Sequence, residues 1–593
     1  MIEVISAQPG VGLVTARTGR LVIDNSLAIT NFLVIIAAAI LLQRVKKISS
    51  SFVLIIYSFV FVITVASILH LLYASYIIGA SLILYGVITH WLKAPELELD
   101  TKGHRNLYLL LSLCIPLFTF QVLQGFIGGQ DARTAYLPMS RLLFENPDLQ
   151  TKLYYEEIPL YSRRLGFPPV LIGLCTTFYS IFGKVGAEIA GLVPSIFFVG
   201  FLTVLFRWCE DAGARTTTAA VLVLFSPILI EKCSWFYFEC PLLFSTTLLF
   251  YSIWKFSVDG EEKYLFYAMM GSCMALMFKY TGIFFTLMLV YYILRNRGLD
   301  RRIWILFFVI HLPCMMWYLR NIYYFGNPVL PYLNFLTSDE VFRSWQNAAT
   351  LLVFQEAHQK WNPLLFNILI LPISLPALVV WAVIFPFTSL RKNKVHCLSY
   401  VLFCIFLPMW LSFNTDARYL IPFYGAVLLQ LSVTLKDYSQ QHQLSLSTYT
   451  GPKGRVALFL FSLTLILCLQ FIYVKRIFPD HVSPDMDVIS FLRNKEGVDK
   501  SALIFTDTDH VIAWNTGWTV FEPAVPKLAP DFLEARKTKN FYALMNKYCI
   551  KYVVNHPWIS PWEDDTFSAI ERDHEHFVKI LDDGSIKIWK VLY

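Results

Sequence analysis

The sequence predicts a polytopic α-helical membrane protein of about 14 transmembrane helices, ending in a small extracytoplasmic α/β domain. Three observations predict it. Of 593 residues, 56% are hydrophobic and only 15% charged, and the mean hydropathy is +0.54, a balance that excludes an ordinary soluble enzyme. Apolar runs close to the roughly 20 residues needed to cross the hydrocarbon recur almost to the end of the chain. Lys and Arg gather in short clusters between those runs, as topology signals do, so the net charge of +7 does not point to nucleic acid.

Such spans must be helical, because lipid offers backbone N–H and C=O groups no partner. The candidate runs are roughly 26 to 43, 51 to 72, 74 to 92, 105 to 125, 187 to 207, 216 to 232, 240 to 256, 263 to 279, 281 to 296, 302 to 319, 364 to 386, 397 to 413, 419 to 436 and 455 to 474. The first 24 residues mix polar and apolar types, so no cleavable signal peptide is read there. The stretch from Tyr264 to Leu294 is long for one helix and short for two. Crossing twice there puts the clusters Arg44/Lys46/Lys47, Lys102/Arg105, Arg207/Arg215, Arg295/Arg297/Arg301/Arg302, Arg391/Lys392/Lys394 and Lys453/Arg455 all on the cytoplasmic side. The same parity places the loops after residues 125, 232, 319 and 413, and everything beyond Lys475, outside.

The outer loop 126–186 holds two amphipathic pieces, ARTAYLPMSRLLFEN and PPVLIGLCTTFYSIFG, which are expected to lie along the membrane surface. From about residue 475 the chain turns polar, with short β-type runs at Ser501–Phe505 and Lys551–Val554. A turn at Asp582-Asp583-Gly584 separates Phe577–Leu581 from Ile586–Trp589, and the helix FYALMNKYC precedes the strand IKYVV. The 11 cysteines are scattered without a CxxC, as buried thiols are, and no Asn-x-Ser/Thr sequon occurs.

Four polar features recur at the outer ends of spans. They are Asp131 with Arg133 and Tyr136; Arg163-Arg164 before Pro168-Pro169; Glu239 just ahead of Pro241; and the lone cations Lys279, Arg320 and Arg418. Each has a structural reading. The acids could cap helices, the paired arginines could bind lipid headgroups, and the lone cations could snorkel. His311, mid-span, reads as a hydrogen-bonded bundle residue. Asp507, Asp509 and His510 read as a solvated loop after a strand. Two carboxylates and several cations converging on one rim suggest instead an anionic, lipid-linked substrate. Arg and Lys could hold its phosphate while a carboxylate takes a proton from an acceptor hydroxyl.

In order, the matching stretches are Asp131; Phe167-Pro168-Pro169-Val170 through Phe182-Gly183; Glu239-Cys240-Pro241-Leu242; Lys279-Tyr280-Thr281-Gly282; Arg320-Asn321 with Gly326-Asn327-Pro328-Val329-Leu330-Pro331; and Arg418-Tyr419-Leu420-Ile421-Pro422. This order resembles the GT-C membrane glycosyltransferases, in the branch of protein O-mannosyltransferases and aminoarabinose transferases. The resemblance covers roughly residues 105 to 436. It implies a polyprenyl-phosphate sugar donor, an outward-facing cavity, Asp131 as catalytic base and Glu239 as a second catalytic acid. Arg163, Arg164, Lys279, Arg320 and Arg418 are then the candidate phosphate-binding residues, and Arg133, Tyr136 and Tyr280 candidate substrate-binding ones. Phe167 stands where the family often has Lys or His, and Ala132 where it has a second acid, which weakens a two-carboxylate metal site; whether a divalent metal ion is needed stays open.

The expected organisation is an N-terminal set of extra helices (1–104), a GT-C-like catalytic module (105–320), a variable transmembrane module (321–474) and a soluble extracytoplasmic domain (475–593). The expected activity is inverting transfer of one sugar from a polyprenyl phosphate to an extracytoplasmic glycan, lipid or protein hydroxyl. The expected location is a bacterial inner membrane with the site facing the periplasm, ahead of the endoplasmic reticulum. Membrane lipids, donor and acceptor are its partners. A flippase for a lipid-linked anion and an O-antigen ligase or polymerase-like enzyme are the competing readings.

Overall fold

The computed structural model describes residues 46–69, 74–91, 97, 137–145, 168–189, 193–224, 226, 228–229, 238–330, 333–359, 375–388, 390, 393–413, 417–441, 484–498, 502–506, 512, 519–521, 528–555, 566–584 and 586–593. In chain order the α-helices before the β-structure are α1 (Lys46–Ile68), α2 (Ala74–Gly86), α3 (Leu137–Glu145), α4 (Val170–Ile189), α5 (Val193–Asp211), α6 (Thr216–Leu224), α7 (Glu239–Asp259), α8 (Glu262–Phe278), α9 (Gly282–Arg297), α10 (Arg301–Ile310), α11 (Leu312–Phe325), α12 (Glu340–Gln359), α13 (Pro376–Ile384), α14 (Lys394–Phe413), α15 (Tyr424–Gln441) and α16 (Pro484–Asn494).

Helix α7 is the axis of the bundle, buried on nearly every side from Glu239 to Phe256. Ser245 and Thr247 survive that burial because they are hydrogen-bonded. The Ser245 and Thr247 hydroxyls donate to Pro241 O (2.8 Å) and Leu243 O (2.7 Å), one turn back. A left-handed Gly260 ends α7, and α8 returns against it; Gly271 permits the close approach, since a Cβ there would lie 2.7 Å from Ser245 O. Helix α1 packs into the same core, with its Phe52 ring 6.1 Å from Phe244 and the Tyr57 hydroxyl donating to Ile310 O at 2.6 Å.

The run from Tyr264 to Leu294 is two helices, α8 and α9, separated at Lys279, whose backbone is extended (φ −156°, ψ 144°). The expected single helix over 302 to 319 is instead the bent pair α10 and α11, turned by 62° at His311. Pro313 explains the break, because it has no N–H to continue the ladder. Among the described residues one helix, Arg418–Gln440, is long and apolar enough to cross a membrane, and the bent pair makes a second if it counts as one span. The expected spans at 26–43, 105–125 and 455–474 lie outside the described residues.

The two amphipathic pieces of the outer loop form α3 and α4, which pack together through Phe144 and Tyr179, ring centroids 5.4 Å apart. From Val170 to Thr177 every residue of α4 is buried, so this half is a packed helix with no polar face. Farther along, Trp381 Nε1 donates to Gln430 Oε1 (2.9 Å) and Gln430 Nε2 to Ser399 Oγ (2.9 Å), tying α13, α14 and α15 together.

Beyond α16 the chain builds a five-stranded sheet in the order β2-β1-β3-β5-β4, with β1 Leu503–Thr506, β2 Thr519–Phe521, β3 Tyr552–Asn555, β4 Phe577–Asp582 and β5 Lys587–Val591. Strands β2, β1 and β3 are parallel, while β4 and β5 form an antiparallel hairpin around the Asp583-Gly584 turn and β5 pairs antiparallel with β3. Helices α17 (Ala529–Thr538), α18 (Phe541–Lys547) and α19 (Ser568–Arg572) cover one face. Helix α12 docks on α17 and places Leu352 in the same apolar cluster as Phe505 and Phe532.

Candidate active site

Three of the candidate residues meet at one point. Glu239 opens α7, where the helix dipole favours an acid. Lys279 occupies the corner between α8 and α9, and Arg418 a 3-10 turn, Ala417–Phe423, that leads into α15. The Lys279 ammonium donates to Glu239 Oε1 at 2.6 Å, and Arg418 Nε lies 3.8 Å from the same oxygen. The other oxygen, Oε2, is buried without a hydrogen-bond partner.

The surrounding packing fixes this meeting. Thr246 on α7 donates its hydroxyl to Pro422 O at 2.7 Å, and Gly425 passes so close to Thr247 that a side chain would clash. On the third side, Phe285 of α9 meets Phe423 at 5.2 Å. The carboxylate is 2% exposed and the two cations beside it have side chains 17% and 16% exposed, so among the described residues two positive charges adjoin one buried negative charge.

Arg320 is linked by hydrogen bonds to Tyr280, the residue that follows Lys279 in the chain. Its Nη1 donates to Asn321 Oδ1 (2.7 Å), Asn321 Nδ2 donates to the Tyr280 hydroxyl (3.4 Å), and Tyr280 donates to Leu330 O (2.7 Å). The guanidinium itself is buried among aromatic faces, 4.7 Å from Trp317, 5.3 Å from Tyr324 and 5.2 Å from Phe325. Asn327 braces the following loop by donating to Leu333 O (3.2 Å) and Thr337 Oγ1 (3.3 Å).

Asp131, Arg133, Tyr136, Arg163 and Arg164 lie outside the described residues, as do Asp507, Asp509 and His510. His311 is hydrogen-bonded within the bundle, Nδ1 with Phe307 O (2.9 Å) and Nε2 with Ser272 Oγ (3.2 Å). Among the described residues no three His, Cys, Asp or Glu side chains gather as metal ligands. Sequence reasoning missed Asn321 as a connector and Tyr419 as a neighbour of Lys279. Both stand in the matching stretches Arg320-Asn321 and Arg418-Tyr419-Leu420-Ile421-Pro422, but no role was read for either.

The helical bundle is similar in fold to solved structures of one transferase. ArnT, the aminoarabinose transferase of Cupriavidus metallidurans, is similar over nearly its whole length. Its structure bound to undecaprenyl phosphate has a TM-score of 0.53 at 14% identity, covering 82% of this chain and 98% of that one. Its apo state gives 0.50 at 14% identity, covering 81% and 97%. An Archaeoglobus fulgidus oligosaccharyltransferase, in complex with Zn and sulfate, gives 0.42 at 11% identity, covering 82% of this chain and 73% of that one. No protein-family model and no curated protein matches the sequence. What the likeness shows is the fold.

Proposed function

We propose that the protein is a membrane glycosyltransferase that moves one sugar from a polyprenyl-phosphate donor to an acceptor hydroxyl outside the cytoplasm. The observation that carries this reading is the Glu239–Lys279–Arg418 cluster, a cationic seat at the end of a buried helix. The ArnT structure of the same fold was bound to undecaprenyl phosphate, which supports a lipid phosphate as the ligand.

The length of α7 suits a membrane position, although its composition does not place it among the helices apolar enough to span one. Its 21 residues carry Glu239 at one end and, at the other, Lys255 and Asp259, which pair with each other (3.1 Å) while Lys255 also pairs with Asp211 of α5 (3.4 Å). At about 1.5 Å per residue the two polar ends stand roughly 30 Å apart, the thickness of a hydrocarbon core.

In the reaction, Asp131 takes the proton of the acceptor hydroxyl, whose oxygen attacks the sugar C1 from the face opposite the phosphate. The C1–O bond to phosphate breaks and the sugar inverts. Lys279 and Arg418 hold the charge that collects on the departing polyprenyl phosphate.

Purified protein incubated with a panel of polyprenyl-phosphate sugars and candidate acceptors is expected to release free polyprenyl phosphate with at least one donor. The broken pair α10 and α11 favours one second reading, a flippase of the same lipid, since such breaks also mark transport pathways. Lipid moved across a vesicle with no sugar released would establish that reading in its place.

A further inference from the structure

The Tyr419 ring lies beneath two cations at once: the Lys279 Nζ is 3.9 Å from its centroid and the Arg418 guanidinium carbon 5.3 Å. An ammonium over an aromatic face within about 6 Å is held by the ring's quadrupole, more firmly where water is partly excluded. At Lys279 only 17% of the side chain is exposed. Its ammonium has three N–H bonds, of which one reaches Glu239 Oε1 at 2.6 Å. Tyr419 and Glu239 thus hold the ammonium from two sides.

We propose that Tyr419 is a positioning residue for the donor phosphate, its ring face holding the Lys279 ammonium so that the remaining N–H bonds meet the phosphate oxygens. This rests on the polyprenyl-phosphate reading above. It adds a group that needs no contact with the substrate, and it assigns the tyrosine's function to its ring and not to its hydroxyl. The geometry also explains how two cations share so small a space: Glu239 offsets one charge and the ring face disperses part of the other.

The test uses the full chain in detergent and undecaprenyl phosphate as the probe, with dissociation constants measured by native mass spectrometry. Three proteins are compared: wild type, Tyr419→Phe, and a chain with 3,4,5-trifluorophenylalanine at position 419, which keeps the ring's shape but removes its negative face. Tyr419→Phe is expected to bind within about twofold of wild type, and the trifluoro protein about tenfold more weakly. In a Lys279→Met background the Phe and trifluoro proteins are expected to bind alike, because the coupling runs through that ammonium. Equal affinity of the two in the native background, or an equal loss with and without Lys279, would overturn the assignment. If wild type binds no undecaprenyl phosphate at all, the polyprenyl-phosphate reading itself fails, and the Tyr419 proposal with it.

Discussion

The Lys279 ammonium sits 2.6 Å from a Glu239 carboxylate that is only 2% exposed, while the lysine side chain is 17% exposed. The two partners are therefore unequally placed. Lys279 can turn toward solvent when its partner is lost; Glu239 cannot.

That inequality sets the order of two substitutions. Lys279→Met strands a buried carboxylate with Arg418 Nε, at 3.8 Å, as its nearest cation, and is expected to cost about 3 kcal/mol. Glu239→Leu removes the buried charge and is expected to cost less, and the double variant less than Lys279→Met alone. Thermal unfolding of the detergent-purified chain measures all three. The reverse order would mean that the pair is not buried as described.

Gly282→Ala addresses the corner that carries Lys279. A Cβ at this position would run into the Ala275 carbonyl, which belongs to rigid backbone and cannot step aside. Overpacking of this kind costs about 1–3 kcal/mol, and α9 is expected to move away from α8. The variant should melt earlier and bind undecaprenyl phosphate more weakly, whereas normal binding by a destabilised variant would separate the corner from the site.

Tyr57→Phe tests the tie between α1 and the broken pair. Its hydroxyl satisfies Ile310 O at the bend, where the helical ladder is interrupted. Losing the bond should cost about 1 kcal/mol and raise hydrogen exchange locally at Ile310 to Met315. An unchanged exchange pattern would show that another donor takes over.

Asp131→Asn keeps the side chain's size and removes its basicity. Sugar transfer is expected to fall by at least about a hundredfold with the melting temperature unchanged, in line with loss of a general base. Full activity would remove Asp131 from the mechanism.

The sheet provides a pH prediction. Lys579 donates to Glu571 Oε1 (2.9 Å) and Asp582 Oδ2 (2.8 Å), and these bonds hold both carboxyls below the usual carboxylate range. A carboxyl held low in the folded state contributes stability above its unfolded pKa and loses it as pH falls through the folded one. The advantage of wild type over Lys579→Met is therefore expected to be present at neutral pH and to vanish below the carboxylate range. The sites are open to solvent, so its size should be at most about 1 kcal/mol and shrink with salt. Exchange protection of β4 and β5, corrected for intrinsic rates, reads it out; a pH-independent difference would contradict it.

Much of this fold was legible. The charge clusters implied two helices between Tyr264 and Leu294, and the chain breaks there at Lys279. The strands at Leu503, Tyr552, Phe577 and Lys587 and the turn at Asp583-Gly584 follow their local signals, since β-runs and tight turns depend on near neighbours. The bend at His311 was missed although Pro313 announced it, because the apolar run continues unbroken through the proline. In the site, the residue types and their shared rim could be read, but their partners could not. Glu239 meets Lys279 because α7 and α8 pack closely enough at Gly271, and it meets Arg418 because Thr246 holds Pro422. Contacts between distant segments depend on how helices seat against one another, which spacing along one chain does not encode. The contact of Tyr419 with Lys279 was invisible for the same reason.

Helix α12 leaves the Asn327-braced loop just after Arg320 and buries Leu352 in the sheet's own core. It therefore ties that loop physically to the sheet. The same loop carries Leu330, whose carbonyl accepts from Tyr280 beside Lys279, so one unbroken series of contacts runs from the sheet to the residue next to the ion pair.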